Sequence, residues 1–394
     1  MGYDDKIHVQ ILSDKGGWQM QLLIAGDLVP TLSNIELFNN ADVETLLGEK
    51  LLSLWNLADI RIFNLETPLA DQKYPIKKCG PNLIAPTSAI NGIKALKPAL
   101  IIAANNHILD QGEKGLKSTE NLFKQHEIPY VGIGDNLSEA SKPHIIEKEG
   151  VKIGIYACAE HEFSIANEKN PGANPFDPLE SLDHIQALKK KCHFVIVFYH
   201  GGKERYQYPS PYLQKVSRKM TEKGADLVIC QHSHCIGCFE KYNQSTIIYG
   251  QGNFLFDNSE NEYWKTGLLI KVEIKETFSI EYVPVKKEEN VVRLAEGTLA
   301  KEILEGFTKR SLQILNENFV EKEYQKLAEK NIASYLTRLT GKGKWLSRIN
   351  RRVFNKTLIK QKYNSKKLLS VQNIIECEAH RELILAGLKE NIKE

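Results

Sequence analysis

The chain has 394 residues, of which 42% are hydrophobic and 26% charged, and its formal net charge is +3. This composition is typical of an ordinary globular protein. No apolar tract approaches the length needed to cross a bilayer, and the first residues lack the basic and apolar regions of a secretory signal. Position 6 is Lys where a myristoylation motif requires Ser or Thr. We therefore expect a cytoplasmic protein whose seven cysteines are reduced thiols.

Short apolar runs alternate with helically spaced segments in the first half of the chain. The runs are rich in β-branched residues and too short for helices, which is typical of buried strands. Their repeated strand–helix–strand order predicts an α/β fold. The predicted elements are, in order, a strand at Gln21–Asp27, a helix around Val43–Trp55, a strand from Ala58 that Pro68 ends, a helix from Thr87 or Ser88 to Lys97, a strand at Ala99–His107, a helix at Gly115–His126 and a short strand at Pro129–Gly134.

The second half contains strands of mixed direction, followed by a helical tail. Residues 160–178 lack periodicity, contain three prolines and are predicted to form a surface loop over the edge where the strands end. From about residue 296 the pattern is helical and rich in Lys and Glu, so we expect two domains, 1–295 and 296–394. The other predicted elements are a hairpin at His144–Tyr156, helices at Leu179–Lys191 and Ser210–Lys223, and strands at His193–His200, Asp226–His234, Thr246–Asn253, Gly267–Ile274 and Phe278–Val285.

Polar side chains stand where the apolar strands end. Because the carboxyl ends of the strands form the ligand-binding edge of an open α/β sheet, we expect these side chains to converge on one site. Their mixture of carboxylate, amide and imidazole groups, without thiolate, suits Mn²⁺, Fe²⁺ or Zn²⁺. His232 and His234 are two residues apart, and on extended backbone both would point to the same side. The converging residues are Asp27, Asn64, Glu66, Asn106, His107, His200, His232 and His234.

This set of side chains predicts a centre for two divalent ions. Two ions bridged by a carboxylate would clamp a phosphoryl group and lower the pKa of a water molecule enough for hydrolysis near neutral pH. Each residue alone has a simpler explanation, since Asp27 could cap a helix, Asn106 could occupy a turn, and a single histidine at a strand end is more often a satisfied polar group than a ligand. Their occurrence together favours the metal site. Cys235 and Cys238 have redox or zinc spacing, but no second such pair exists, so the interpretation as small buried apolar residues is favoured.

An ordered set of motifs resembles a known family. The motifs are Gly26-Asp27, Asn64-Leu65-Glu66-Thr67-Pro68, the segment Ala104–Asp110, the segment His200–Glu204, His232-Ser233-His234 and Gly252-Asn253-Phe254. They resemble the capsule-synthesis CapA proteins of poly-γ-glutamate and capsule loci, a branch of the calcineurin-like metallophosphoesterases, over roughly residues 20 to 260. The resemblance implies a layered αββα sandwich with a dinuclear metal centre and a helical appendage at the C-terminal end.

The resemblance also implies a role for each matching residue. Asp27 and His234 would hold one ion, Glu66 would bridge the two ions, and the second ion would be held by Asn106, His200 and His232. His107 would be the general acid that protonates the leaving oxygen, and Asp110 would fix its tautomer. The first strand carries Val29 where the general superfamily pattern has a histidine, which implies a weaker first site. Glu204 or Asn64 could fill that position, and Asn64, Glu204 and Asn253 are candidates for supporting the ligands or contacting the substrate.

Three hypotheses for the function follow. The first is a metal-dependent hydrolase of the phosphoesterase type, linked to capsule or cell-envelope polymer synthesis, with an anionic polymer or a phosphoester as its substrate. The second is a non-catalytic component that assembles or binds capsule polymer or poly-γ-glutamate. The third is a metal-dependent amide hydrolase or transferase acting on γ-glutamyl polymer, because an activated nucleophile attacks carbonyl groups as well as phosphorus.

The C-terminal tail is strongly basic. Between Lys330 and Ile375 there are twelve Lys and Arg and no Asp or Glu, so the rest of the chain is net acidic. Residues 344–360 combine an apolar helical stripe with flanking basic residues, a pattern that suits peripheral contact with an anionic membrane or a polyanion. A helix packed on the body with a solvated basic face is the favoured interpretation, and the membrane contact is the alternative. No recognisable nucleic-acid motif occurs, so we expect no specific nucleic-acid partner.

Overall fold

The computed structural model of the chain describes residues 20–256, 260–275, 278–339 and 363–392. The chain divides by compactness into two units, Met1–Val320 and Glu321–Glu394. The domain boundary placed near residue 295 from the sequence pattern stays a prediction. The amphipathic segment 344–360, with its predicted membrane contact, lies outside the described residues. None of the helices described is both long and apolar enough to span a bilayer.

Eight strands form the first sheet of the part of the chain described. They are β1 Met20–Val29, β2 Ile60–Leu65, β3 Leu100–Ile102, β4 Tyr130–Val131, β13 Asn253–Phe256, β14 Thr266–Ile274, β15 Phe278–Glu288 and β16 Val291–Leu294. Their order is β16-β15-β14-β1-β2-β3-β4, and β13 pairs with the last residues of β1. Strands β1 to β4 and β13 pair with one another in parallel, whereas β14 to β16 form antiparallel pairs, including the pair of β14 with β1. The carboxyl ends of the parallel strands therefore share one edge.

The second sheet has six strands among the described residues. They are β6 His144–Lys148, β7 Val151–Ala159, β9 Phe194–His200, β10 Leu227–Gln231, β11 Phe239–Tyr242 and β12 Ser245–Tyr249. Their order is β11-β12-β10-β9-β7-β6, with the four inner strands parallel and the two outer strands antiparallel. The hairpin predicted around Glu149 and Gly150 is confirmed as β6–β7. Two further short strands, β5 Ile133–Gly134 and β8 Gly172–Ala173, pair with each other.

The structure describes helices between the strands and after them. They are α1 Ile35–Asn39, α2 Val43–Leu47, α3 Glu49–Leu57, α4 Ile90–Ala95, α5 Gly112–Gln125, α6 Leu137–Ala140, α7 Ser181–Lys189, α8 Pro211–Glu222, α9 Gly297–Gln313, α10 Phe319–Leu339, α11 Ser365–Glu376 and α12 Glu378–Ile392. The single helix predicted over 43–55 is two helices, because Gly48 takes a left-handed φ of 71° between them. The helix predicted to start at Thr87 or Ser88, with one of them as its N-cap, is not capped by either residue, since their hydroxyls bond to Asp71 and Asn39 instead.

Three apolar layers hold these elements together. Side chains from the inner faces of both sheets, such as Ile24 of β1 and Ile196 of β9, form one buried core between the sheets. Helices α1 to α5 pack on the outer face of the first sheet, and α7 and α8 pack on the outer face of the second. Alternating strand residues therefore serve opposite layers, as the period of a strand requires. The predicted αββα layering, with helices following at the C-terminal end, is confirmed.

A close backbone contact joins β1 to the segment that leads into β13. A side chain at Gly26 would place its Cβ 2.1 Å from the carbonyl oxygen of Gly252, so this position requires glycine. The contact brings Asp27 into register with Asn253. Two polar residues from distant parts of the chain thus reach the same edge of the sheet.

Candidate metal centre

Strand ends from both sheets carry the converging side chains. Asp27 lies within β1, Glu66 follows β2, and His200 is the last residue of β9. Exposure is 1% for Asp27, 0% for Glu66 and 2% for His200, so these groups are enclosed by protein. His232 and His234 follow β10 and are also buried. The structure therefore brings the predicted side chains together at one buried edge.

The side chains form two groups with the dimensions of cation sites. One group contains Glu66, His200 and His232, and the other contains Asp27, Glu66 and His234. Within each group the potential ligand atoms all lie within 4.8 Å of one another. Glu66 belongs to both groups, which is the arrangement that a bridging carboxylate requires. The individual ligand roles stay predictions.

Glu66 has unusual surroundings for a buried carboxylate. Neither of its oxygens has a hydrogen-bond partner. The nearest imidazole nitrogens are Nε2 of His200, 3.3 Å from Oε1, and Nε2 of His234, 3.8 Å from the same atom. A buried charge without partners is strongly unfavourable, and such groups are normally paired or bound to a metal. The residues present therefore fit a divalent cation.

The group around His200 supports the same conclusion. Nε2 of His200 lies 3.2 Å from Nδ1 of His232 and 3.0 Å from Oδ1 of Asn106. Burial lowers the pKa of His232 well below its ordinary value, and the charges of His200 and His234 lower it further. A neutral imidazole offers a lone pair, which is the form that binds a metal. Imidazole nitrogens, an amide oxygen and a carboxylate thus face one small volume.

The group around Asp27 is more strongly charged. Burial opposes ionisation of Asp27, but the hydrogen bond with His234 and the nearby imidazoles outweigh it and lower the pKa of the carboxyl. Burial alone would lower the pKa of His234, but the interactions with Glu66 and Asp27 have a larger effect and raise this pKa to about 9. Nδ1 of His234 lies 2.8 Å from Oδ1 of Asn253. If Nδ1 donates to this oxygen, Nε2 is left to face Glu66.

Asn64 supports Asp27. Its Nδ2 donates to Oδ1 of Asp27 at 2.7 Å, while its Oδ1 accepts from Nδ2 of Asn105 at 3.1 Å. The amide therefore has a fixed orientation that fixes the carboxylate in turn. Glu204, the other candidate for the position that Val29 leaves without an imidazole, is exposed and belongs to neither group.

The backbone of the two neighbouring histidines differs from the prediction. Strand β10 ends at Gln231, and His232 and His234 take left-handed φ values of 79° and 51°. The expectation of extended backbone is therefore wrong, although both side chains do reach the site. Left-handed conformations are unfavourable for residues with a Cβ and persist where surrounding contacts enforce them.

A separate cluster surrounds His107. Its Nδ1 lies 2.6 Å from Oδ2 of Asp110, and the amide of Leu83 donates to the same oxygen at 2.6 Å. Lys78 forms an ion pair with Asp110, and its Nζ lies 3.3 Å from Nδ1 of His107. These contacts occupy Nδ1 and leave Nε2 of His107 as the nitrogen able to meet a substrate. Sequence reasoning missed Lys78, because it lies in an irregular segment.

The loop predicted over the site contacts Asn106. Oε2 of Glu162 accepts from Nδ2 of Asn106 at 3.1 Å, so Oδ1 of that amide is directed towards His200. Glu160 accepts from the amide of Gly202 at 2.9 Å, next to the end of β9. Sequence reasoning missed both glutamates, because the loop has no periodicity that would place them.

The Cys235–Cys238 pair takes no part in either group. Both thiols are free and buried, and burial raises the pKa of each. A protonated, buried thiol behaves as a small apolar group. The geometry accords with the interpretation favoured from the sequence.

Two stacked mixed sheets and a buried carboxylate shared by two histidine-containing groups define a layered α/β protein with a candidate two-cation centre. The family model described as "Bacterial capsule synthesis protein PGA_cap" matches residues 21–258. The chain belongs to this bacterial capsule synthesis family. The matched region contains both groups of the candidate centre and ends before α9.

Individual relatives match the same part of the chain. A capsule biosynthesis protein CapA from Bacillus anthracis is 29% identical over 249 residues, covering 60% of each chain. A PGA biosynthesis protein CapA from Bacillus subtilis is 30% identical over 208 residues, covering 52% of this chain and 55% of the relative. The alignments thus span less than two thirds of either relative. Among solved structures, a phosphatase from Mycoplasma pneumoniae has 14% identity and a TM-score of 0.44, with 70% of this chain and 96% of that chain covered.

Proposed function

We propose that this protein is a metal-dependent hydrolase of the phosphoesterase type that acts in the synthesis of a capsule or cell-envelope polymer. The observation that carries the proposal is Glu66, a fully buried carboxylate without hydrogen-bond partners that belongs to two groups of potential ligands. The relatives described as capsule and PGA biosynthesis proteins support the assignment to polymer synthesis.

Two divalent cations of the Mn²⁺, Fe²⁺ or Zn²⁺ kind would supply Lewis acidity, clamping a phosphoryl group and activating a water molecule for attack. Glu66 would be shared by both cation sites, His200 and His232 would complete one site with Asn106, and Asp27 and His234 would complete the other. The second of these sites has Val29 in place of a further imidazole and is therefore the weaker of the two.

The protein itself would supply the proton for the leaving group. Asp110 holds Nδ1 of His107, so the imidazole has one tautomer and one orientation. With Nδ1–H directed at Asp110, the imidazolium form carries its second proton on Nε2, where it is positioned for transfer to an oxygen that leaves the phosphorus. Lys78 balances the charge of Asp110 and keeps the pair in place.

The test is an assay of turnover with purified protein, Mn²⁺ and an aryl phosphate. We expect hydrolysis by the wild type and loss of hydrolysis in His200→Ala, because this change removes an imidazole from the first group. The matched control is His126→Ala at the C-terminal end of α5, a histidine that belongs to neither group. Unchanged turnover in His200→Ala would refute the proposed site.

A non-catalytic role in polymer assembly is the second candidate. It is favoured by the lack of an imidazole at Val29 and by a Mycobacterium tuberculosis relative, 28% identical over 225 residues, that is described as a probable polyglutamine synthesis accessory protein. Bound Mn²⁺ without turnover of either aryl phosphate or poly-γ-glutamate would establish this role. Turnover of poly-γ-glutamate alone would instead identify an amide hydrolase or transferase.

A further inference from the structure

Helix α9 lies beyond the region that matches the family model, yet it contacts the segment that carries two of the candidate ligands. We call residues 232–238 the histidine loop; it connects β10 to β11. Its left-handed residues, His232 and His234, are stable only if the surrounding contacts hold the backbone in place. The contacts that hold the loop therefore influence the geometry of the metal site.

Arg310 of α9 holds the far end of the histidine loop. Its Nε donates to the carbonyl oxygen of Gly237 at 2.7 Å, and its Nη2 donates to that of Ile236 at 3.1 Å. A guanidinium group presents its donors in a rigid planar fork, so two such bonds fix position and orientation together. The carbonyl of Ile236 also accepts from Nε2 of Gln207 at 3.0 Å.

Neighbouring contacts fix α9 itself against strands of both sheets. Oγ of Ser311 accepts from the amide of Phe239 at 2.8 Å, immediately after the histidine loop. Phe307, only 1% exposed, packs against the rings of Phe239 and Tyr282 with centroid distances of 5.2 and 4.8 Å. Arg310 thus projects from a helix with little freedom to move.

The other side of the loop is equally confined. A Cβ at Gly237 would lie 1.7 Å from the carbonyl oxygen of Tyr249, so the loop lies directly on β12 there. The backbone amide of Gly237 donates to the carbonyl oxygen of Gly250 at 3.0 Å. The loop is therefore enclosed between β12 and the guanidinium of Arg310.

We propose that Arg310 is a positioning residue for the metal centre, which fixes the histidine loop so that His232 and His234 meet their cations. The inference rests on the proposed function, because it assumes that these histidines bind metal. It assigns a role in the site to a residue outside the matched family region.

The test measures Mn²⁺ affinity of the full chain, stripped of metal and titrated while the free ion is followed by electron paramagnetic resonance. We expect Arg310→Met to weaken binding by about tenfold or more, as is usual when a group supporting a ligand is removed. Arg310→Lys should recover part of the affinity, because it keeps the charge but lacks the fork. The matched control is Lys309→Met, which removes a neighbouring exposed cation from the same helix and should bind like the wild type.

The outcomes separate this inference from the proposed function. A purely structural role of Arg310 would lower the melting temperature of the metal-free protein without changing the affinity of the folded protein. Wild-type affinity in folded Arg310→Met would therefore overturn this inference alone. If circular dichroism shows that Arg310→Met does not fold, Arg310→Lys decides, with weaker binding supporting the inference and wild-type affinity refuting it. No Mn²⁺ binding by the wild type would overturn the proposed function and this inference with it.

Discussion

Two buried clusters at the strand-end edge contain histidine and carboxylate, and they differ in how their polar atoms are satisfied. In the His107 cluster, Asp110 is contacted by the imidazole of His107, the ammonium of Lys78 and the amide of Leu83. In the candidate metal centre, Glu66 is as deeply buried as Asp110, but neither oxygen of Glu66 has a hydrogen-bond partner. Both clusters therefore combine histidine with a buried carboxylate, but only in the His107 cluster does the carboxylate have hydrogen-bond partners.

This difference distinguishes a group that the protein orients from a group that awaits a ligand. A buried carboxylate whose partners are all protein atoms acts as a fixed support. A buried carboxylate without partners is costly unless a cation joins it. The comparison thus supports the proposal that Glu66 binds cations and that Asp110 orients an imidazole, and the following changes test that proposal.

The largest effect is expected for Glu66→Gln. This change removes the shared anionic ligand, so Mn²⁺ affinity should fall by at least about 100-fold, the upper end of losses seen even for residues that only support ligands. In the presence of a chelator the same variant should be more stable than the wild type by about 1 kcal/mol or more, because a neutral amide is less costly to bury than a carboxylate that makes no hydrogen bond. Calorimetric titration and chemical denaturation measure the two effects.

Glu240→Gln is the control for the sign of that stability change. Glu240 is also buried, but it pairs with Arg218 and accepts from the hydroxyl of Tyr249 at 2.9 Å. Its replacement should destabilise the protein, since it leaves the guanidinium without its partner. A chelator-treated Glu66→Gln protein that loses as much stability as Glu240→Gln would show that Glu66 is satisfied without a cation.

An effect on turnover alone, without loss of metal binding, is expected for His107→Asn. Turnover of a substrate with a poor leaving group should fall about 10²–10⁴-fold, the usual contribution of a general acid, whereas Mn²⁺ affinity should stay unchanged. An aryl phosphate with a strongly acidic phenol needs less protonation and should lose less activity. Equal losses for good and poor leaving groups would argue against a proton-donating role for His107.

Lys78→Met should act on stability. The side chains of Lys78 and Asp110 are 2% and 0% exposed, so the change leaves a buried carboxylate without its cation. Breaking such a pair costs about 3–5 kcal/mol, which urea denaturation measures directly. Lys77→Met, at the exposed neighbouring residue, should change the unfolding free energy by less than about 0.5 kcal/mol. Similar values for the two variants would contradict the importance of the pair.

The smallest effect is expected for Asn64→Ala. Asn64 supports Asp27 through a single hydrogen bond of 2.7 Å, so its loss should weaken Mn²⁺ binding about tenfold without abolishing it. Competition with a chelating dye resolves a change of this size. An effect as large as that of Glu66→Gln would indicate that Asn64 itself binds a cation.

The sequence is sufficient to predict the parts of this site that depend on strands. Apolar runs ending in Asp27 and His200 mark buried strands, and the rule that parallel strands share a ligand-binding edge brings their ends together. The supporting residues are not predictable in this way. Lys78 and Glu162 lie in irregular segments, and Arg310 lies on a helix whose partner is fixed only by tertiary packing.

Sequence patterns also failed to predict irregular backbone conformations. The alternation expected for extended chain does not reveal the left-handed turn at His232 and His234, because nothing in the residue types requires it. The break in the helix at Gly48 is a local conformational choice that helix propensity leaves open. The hydrogen bond from Thr87 to Asp71 depends on a residue that is distant in sequence.

The contact between Gly26 and Gly252 has a consequence for the order of assembly during translation. Asp27 is synthesised long before its register partner Asn253, which follows all the candidate ligands in the chain. Pairings between such distant segments close long loops and form slowly. Asp27 and His234 thus lack the support of Asn253 until β13 adds to β1, so we expect completion of the proposed cation sites to be a late, largely post-translational event.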